Sequence, residues 1–292
     1  MKLVHFRIDR DPTVRVGAIT EARSVIDGTD LLGAPDPSRF DLGIHDRFDL
    51  DRPFLDRLRT RIDAIEPVAS IPQDQVTLLA PIPSPGKVIC IGLNYADHAA
   101  ESGMEPPSSP LAFSKFTSNV VGPGDSIPMP PGESETDYEA ELAVVIGRRT
   151  WRIDEANAMD HVLGYACAND LSARAFQFAD GQWQRGKSCE GFCPIGPFIA
   201  TTDDVPDPHE LGIRLRLNGE TVQDSSTRQL IFRIPRLIAH LADHVRLEPG
   251  DVILTGTPPG VGFAKEPPIH LASGDRMEVE IDGLGTLENR MA

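Results

Sequence analysis

The sequence predicts a mixed α+β fold that is mainly β, built as a sandwich or roll of sheets and not as a regular βαβ array. Three observations lead there. Residues 211–217 and 277–281 alternate apolar with charged side chains, the period of a strand with one wet face. Residues 142–146 are wholly apolar, as a buried strand requires. Helical patterns are few and short, the best being 235–245, with Pro235 at its start and Leu237, Ile238, Leu241 and Val245 sharing a face.

In chain order, 3–8 and 14–19 read as short strands. Residues 54–65 carry apolar side chains at helical spacing. The Pro- and Gly-rich stretch 80–86 reads as a linker, because it can neither donate a full ladder nor continue a helix. A small N-terminal α+β domain over 1–78 and a larger domain over 79–292 follow, consistent with 292 residues against the roughly 100–200 of one domain. In the second part, 87–92 is an apolar strand ending in glycine, 95–101 holds good helix formers, and 103–110 breaks them with glycine and prolines. Residues 139–147 and 162–169 are strands, and 154–161 is a short helix that Asp154 can cap. Asn218-Gly219 is a strong hairpin signal after 211–217. The turn 248–251 leads into a strand at 252–254, and 277–281 forms a last one before Gly283.

Composition excludes several classes of function. A formal net charge of −16 repels phosphate backbones and anionic membranes, so neither nucleic acid nor a membrane is an expected partner. The opening residues interrupt their apolar run with charges at once, unlike a signal peptide, and no stretch reaches the ~20 apolar residues of a membrane span. Four cysteines are too few for a disulfide framework, which suits a reduced, cytoplasmic protein. Cys189-x-x-x-Cys193 lacks the second Cys/His pair of a zinc site.

The sharpest chemical feature is Glu139-x-Glu141. Side chains two apart on a strand project from one face, so two carboxylates sit a few ångströms apart and repel unless a cation lies between them. Oxygen-only donors select Mg²⁺, Mn²⁺ or Ca²⁺ over zinc. Pairing with Arg148 or Arg149 on a wet strand face is the plainer alternative. Asp170 opens a polar turn after a strand, where side chains converge, and equally suits a helix cap. His98-x-x-Glu101 places a carboxylate beside an imidazole on one helix face, an arrangement that activates water, although an incidental surface pair has the same spacing. Lysines number five; Lys115 between Phe113 and Phe116, and Lys187 in Arg185-Gly186-Lys187-Ser188, suit an anionic substrate or plain surface positions. The 255–262 run, Thr-Gly-Thr-Pro-Pro-Gly-Val-Gly, offers hydroxyls and N–H groups to a carboxylate but matches no nucleotide fingerprint.

Together these stretches resemble the fumarylacetoacetate hydrolase family, in its acylpyruvase and 2-hydroxyhepta-2,4-diene-1,7-dioate isomerase-like branch. The carrying motifs are Gly92-Leu93-Asn94-Tyr95-x-x-His98, Asp137-Tyr138-Glu139-Ala140-Glu141-Leu142, Asn169-Asp170-x-Ser172-Ala173-Arg174, Arg185-Gly186-Lys187-Ser188, residues 192–197 and residues 254–262. The resemblance implies a mixed β-sandwich roll, usually a homodimer, with Mg²⁺ or Mn²⁺ on Glu139, Glu141 and Asp170. It further implies that His98 and Glu101 activate water on a lid, that Lys187 is the active-site lysine, and that Lys115, Arg174, Gln177 and Thr257 contact substrate oxygens. Members of that family usually carry Asp where Ala175 stands, and often Phe-Asp where Cys189-Glu190 stands. The implied activity is hydrolytic C–C cleavage of an acylpyruvate-like 2,4-diketo acid through an enolate stabilised by the cation. Oxaloacetate-type decarboxylation and keto-diacid isomerisation or tautomerisation need the same ligands. A non-catalytic small-acid binder is the alternative from another class, and the His98–Glu101 pair, which a binder does not need, separates it from an enzyme.

Overall fold

The computed structural model describes residues 1–29, 52–64, 70–97 and 105–292. Its strands are β1 (Lys2–Ile8), β2 (Arg15–Ile19), β3 (Ser24–Asp27), β4 (Ile71–Pro72), β5 (Val76–Leu78), β6 (Val88–Gly92), β7 (Leu111–Lys115), β8 (Val120–Val121), β9 (Ser126–Ile127), β10 (Thr136–Asp137), β11 (Ala140–Ile146), β12 (Val162–Asn169), β13 (Ser172–Ala173), β14 (Cys193–Thr201), β15 (Gly212–Leu217), β16 (Glu220–Ser226), β17 (Val252–Leu254), β18 (Arg276–Ile281) and β19 (Gly285–Met291). The helices are α1 (Arg52–Ala64), α2 (Glu155–Ala158), α3 (Arg174–Ala179), α4 (Gln184–Lys187) and α5 (Ile234–Ala242). Strands dominate, as the sequence predicts.

Among the described residues, one large sheet runs β4-β3-β2-β1-β14-β12-β11-β17-β6-β7 and a second runs β16-β15-β18-β19-β9. Most pairs are antiparallel, but β17 with β6, β14 with β8 and β19 with β9 are parallel, so the sheets are mixed. The two sheets face each other. Leu142, Val144 and Ile146 of β11 share a core with Ile213 and Leu215 of β15 and with Met277, Val279 and Ile281 of β18. On the opposite face of β11, Ala143 and Val145 pack in a second cluster with Leu58 of α1 and with Ile82. That double burial explains the unbroken apolar run at 142–146.

The N-terminal strands are continuous with the large sheet, because β1 pairs with β14 in the register Lys2↔Ala200 and Leu3↔Ile199. The Pro-rich stretch beyond β5 is packed down: Ala80, Pro81, Ile82 and Pro85 are buried, and His5 Nδ1 lies 2.8 Å from the Pro81 carbonyl. The hairpin at Asn218-Gly219 has φ of 52° and 87°, the left-handed pair that a two-residue turn between twisted strands demands. Asp154 occupies the cap position of α2, but its side chain makes no capping hydrogen bond. Helix α5 ends at Ala242, so Val245 lies beyond it and is 38% exposed rather than on the buried face. No described helix is long and apolar enough to cross a membrane.

His5 supplies a test of this packing. Burial drives its pKa from 6.5 to about 4, against the opposing hydrogen bond to Pro81. As pH falls below 6.5, the unfolded chain takes up the proton first, so stability falls. Between pH 6.5 and 5 the loss is about 2 kcal/mol. Urea midpoints should drop across that window in the wild type and much less in His5→Gln; parallel curves would remove His5 as the cause.

Candidate active site

The site begins where β11 meets β12. Antiparallel pairing sets Ala140 opposite Asn169, and the Asp170 N–H donates to the Glu139 carbonyl at 2.8 Å. The Asn169 side chain accepts from the Glu139 N–H at 3.0 Å. Glu139 and Glu141, two apart, emerge on one face, and Asp170 turns in from the end of β12. One carboxylate oxygen from each lies within 4.8 Å of the others, and all three residues are buried. The spacing argument for the pair and the convergence expected of Asp170 are both realised in the geometry. Asp170 does not cap the following helix; Ala173 holds the position before α3.

Three cations meet this acid cluster. Lys187 Nζ lies 2.8 Å from Glu139 Oε2 and 2.9 Å from Asp170 Oδ2. Lys115 pairs with Asp170 Oδ1 and donates to the Leu171 carbonyl at 3.0 Å. Arg174 reaches Glu139 Oε1 at 2.7 Å, Asp137 Oδ2 at 2.6 Å and Gln177 Oε1 at 2.9 Å. Glu141 is the carboxylate left over. It accepts the Gly256 N–H at 2.7 Å and forms no direct ion pair among the described residues, the charge of nearby Lys187 only partly offsetting its burial. Burial, and then the charges of Asp170 and Glu139, push its pKa well above the usual carboxylate range. Burial opposes ionisation of Glu139 as well, but there Lys187 and Arg174 prevail and lower its pKa to about 2. The three cations are committed to Asp137, Glu139 and Asp170, so Glu141 ionises only with a further cation beside it, and the oxygen-only donor set fits a hard divalent one.

Above the cluster lies a cavity of about 280 Å³. Its polar lining is Glu139, Glu141, Arg174, Gln177, Lys187 and Thr257. Its apolar walls include Phe113, Trp183 and Val261, with Phe178 and Phe263 at 53% and 50% exposure. Phe178 and Phe263 meet with ring centroids 5.7 Å apart. Gly92 admits Trp183: a Cβ there would stand 2.8 Å from the indole. Gly256, at φ 106°, lets its N–H reach Glu141, where a Cβ would meet Asn94 at 2.8 Å.

The structure therefore gathers Glu139, Glu141, Asp170, Lys187, Arg174, Gln177 and Thr257 in one place. Lys115 joins from behind: its ammonium sits on Asp170 and does not line the cavity. His98 and Glu101 lie outside the described residues, as does most of the 95–101 helix. The sequence reading missed Asp137 as the buried partner of Arg174, the aromatic walls, and Gln223, treated below. Their partners are distant in the chain, so no local pattern announces them.

Residues 87–292 match the family model described as fumarylacetoacetate (FAA) hydrolase, C-terminal. Over 292 residues the chain is 43% identical to the mitochondrial oxaloacetate tautomerase fahd2 of Xenopus laevis, covering 99% of this chain and 89% of that protein. The crystal structure of maleylpyruvate hydrolase from Sphingobium sp. SYK-6, in complex with manganese(II) and pyruvate, is similar at TM-score 0.81 and 34% identity, covering 100% of this chain and 99% of that one. The 2-hydroxyhepta-2,4-diene-1,7-dioate isomerase of Mycobacterium marinum is similar at TM-score 0.77 and 32% identity, covering 100% and 98%.

Proposed function

The chain belongs to the fumarylacetoacetate hydrolase family, and from that premise we propose that it is a divalent-cation-dependent tautomerase interconverting the enol and keto forms of a small 2-keto acid of the oxaloacetate type. The observation that carries this is the buried Glu139–Glu141–Asp170 cluster, with Lys187 against it, at the floor of a cavity of about 280 Å³. That volume is at the low end for ligand pockets, which suits a short acid. The tautomerase of Xenopus laevis, similar along nearly the whole chain, supports this choice among the family's reactions.

Glu139, Glu141 and Asp170 would hold Mg²⁺ or Mn²⁺, which supplies Lewis-acid polarisation of the keto acid's oxygens. The chain's own groups do the rest. An ammonium has three N–H donors; Lys187 commits two to Glu139 and Asp170, leaving one for an oxygen on which negative charge develops. Gln177 gives its carbonyl to Arg174 and keeps its NH₂ for the substrate carboxylate. Thr257, in the lining, offers its hydroxyl. Ketonisation removes the enol O–H proton and places a proton on C3, a transfer that the family resemblance assigns to His98 and Glu101. The aromatic walls keep bulk water from the carbon being protonated. In this reading the enzyme is a homodimer, supported by the family resemblance.

C–C hydrolysis is the second reading, favoured by the similarity to maleylpyruvate hydrolase with manganese and pyruvate. There His98 would deprotonate water. Stopped-flow assays with Mg²⁺ decide between them. Enol oxaloacetate should ketonise at least about tenfold faster than acylpyruvates are cleaved or oxaloacetate is decarboxylated, and chelation should abolish the rate. Faster acylpyruvate cleavage would install the hydrolase, and activity surviving exhaustive chelation would end both readings.

A further inference from the structure

Strand β16 carries a side chain that the reaction above leaves unused. Gln223 is 1% exposed in a strand whose other residues are all exposed or half-buried. Its Oε1 accepts the Ala140 N–H at 2.9 Å, at the residue between Glu139 and Glu141. Its Nε2 donates to Thr257 Oγ1 at 2.9 Å and to the Pro258 carbonyl at 2.8 Å. The orientation of the amide is fixed by these backbone partners, since the Ala140 N–H only donates and the Pro258 carbonyl only accepts. Thr257 Oγ1 therefore accepts a hydrogen bond from Gln223, and its own O–H must donate elsewhere. It has no acceptor among the described residues, and Thr257 lines the cavity.

We propose that Gln223 is a positioning residue: it ties the carboxylate-bearing start of β11 to the 255–262 turn and sets the Thr257 hydroxyl as a donor toward the substrate's carboxylate. This rests on the reading of the cavity as a keto-acid site. The neighbouring backbone is built for the same contact. Gly260, at φ 99°, has room only for hydrogen, because a Cβ would meet the Val222 carbonyl at 2.2 Å. The hairpin thus lies directly on the turn that holds Thr257.

The polarity of the bond is the testable part. Gln223→Glu keeps size and the acceptor for Ala140 but replaces both N–H donors with acceptors, which draws the Thr257 proton away from the cavity. Gln223→Met removes the amide altogether, and Thr257→Val removes the hydroxyl. KM for the keto acid, and the Kd of oxalate measured calorimetrically with Mn²⁺ present, should rise about tenfold in each, the effect of one donor to a charged oxygen. kcat and the Kd for Mn²⁺ alone should change by less than about threefold. The double variant Gln223→Glu with Thr257→Val should be no worse than either single one, since both act through the same hydroxyl. Additive effects, or unchanged oxalate affinity in a folded Gln223→Glu protein, would overturn the proposal. If that variant does not fold, Gln223→Met decides, and unchanged oxalate affinity in Thr257→Val is sufficient to overturn it. A wild type that binds Mn²⁺ and oxalate but turns over no keto acid would sink the functional reading alone, and the oxalate affinities would still decide the role of Gln223.

Discussion

Asp170→Asn should abolish cation binding and turnover together. Asp170 is fully buried and shared between Lys115 and Lys187 while facing Glu139 and Glu141. Asparagine keeps the shape and one oxygen but removes the charge that both lysines neutralise. A ligand contributed by a backbone-fixed position has no substitute nearby, so Mn²⁺ affinity should fall on the order of 100-fold or more. Turnover should fall at least in proportion. Two buried ammonium groups lose a partner as well, a change that costs about 3–5 kcal/mol when one side of a buried pair is removed. Calorimetric titration with Mn²⁺ and a denaturant melt of the same sample would measure both. Wild-type Mn²⁺ affinity in a folded Asp170→Asn protein would exclude the residue as a ligand.

Lys187→Met should separate what Asp170→Asn joins. Without the cation, the Lys187 ammonium bridges Glu139 and Asp170 at 2.8 and 2.9 Å. Removing it takes away a positive charge that repels the incoming cation, so Mn²⁺ should bind at least as tightly as in the wild type. Turnover should nevertheless drop about 10²–10³-fold, the usual loss for one donor aimed at developing negative charge. The ion-free variant should be destabilised by about 3–5 kcal/mol, because burial of the carboxylates is then uncompensated, and saturating Mn²⁺ should restore it. Weakened Mn²⁺ binding with turnover intact would contradict this assignment.

Much of the framework was legible because it follows local rules. The apolar run 142–146 reads as a buried strand, Asn218-Gly219 as a tight hairpin, and Glu139-x-Glu141 as two side chains on one face. Each signal lies within a few residues of its consequence. The resemblance assigned roles to Asp170, Lys187, Arg174, Gln177 and Thr257, and the structure brings all of them to the cluster or to the cavity above it. What stayed hidden depends on distant partners. Asp137 meets Arg174 across 37 residues, and Gln223 meets Ala140 across 83. Lys115 read as a substrate contact, and its flanking phenylalanines gave no hint that its ammonium would settle behind Asp170. The end of α5 at Ala242 was equally unreadable, because apolar spacing continues to Val245, which lies outside the helix and is 38% exposed.

The pairing of β1 with β14 bears on how the chain can be divided. Lys2 and Leu3 cover the main-chain groups of Ala200 and Ile199, and the terminal ammonium is held by Thr201 and Asp204. Severing the chain at its Pro-rich connector would leave an uncovered rail of amides and carbonyls along β14, a ready template for self-association. Strands β1 to β5 thus act as a selvedge for the large sheet, which runs unbroken across the Pro-rich connector.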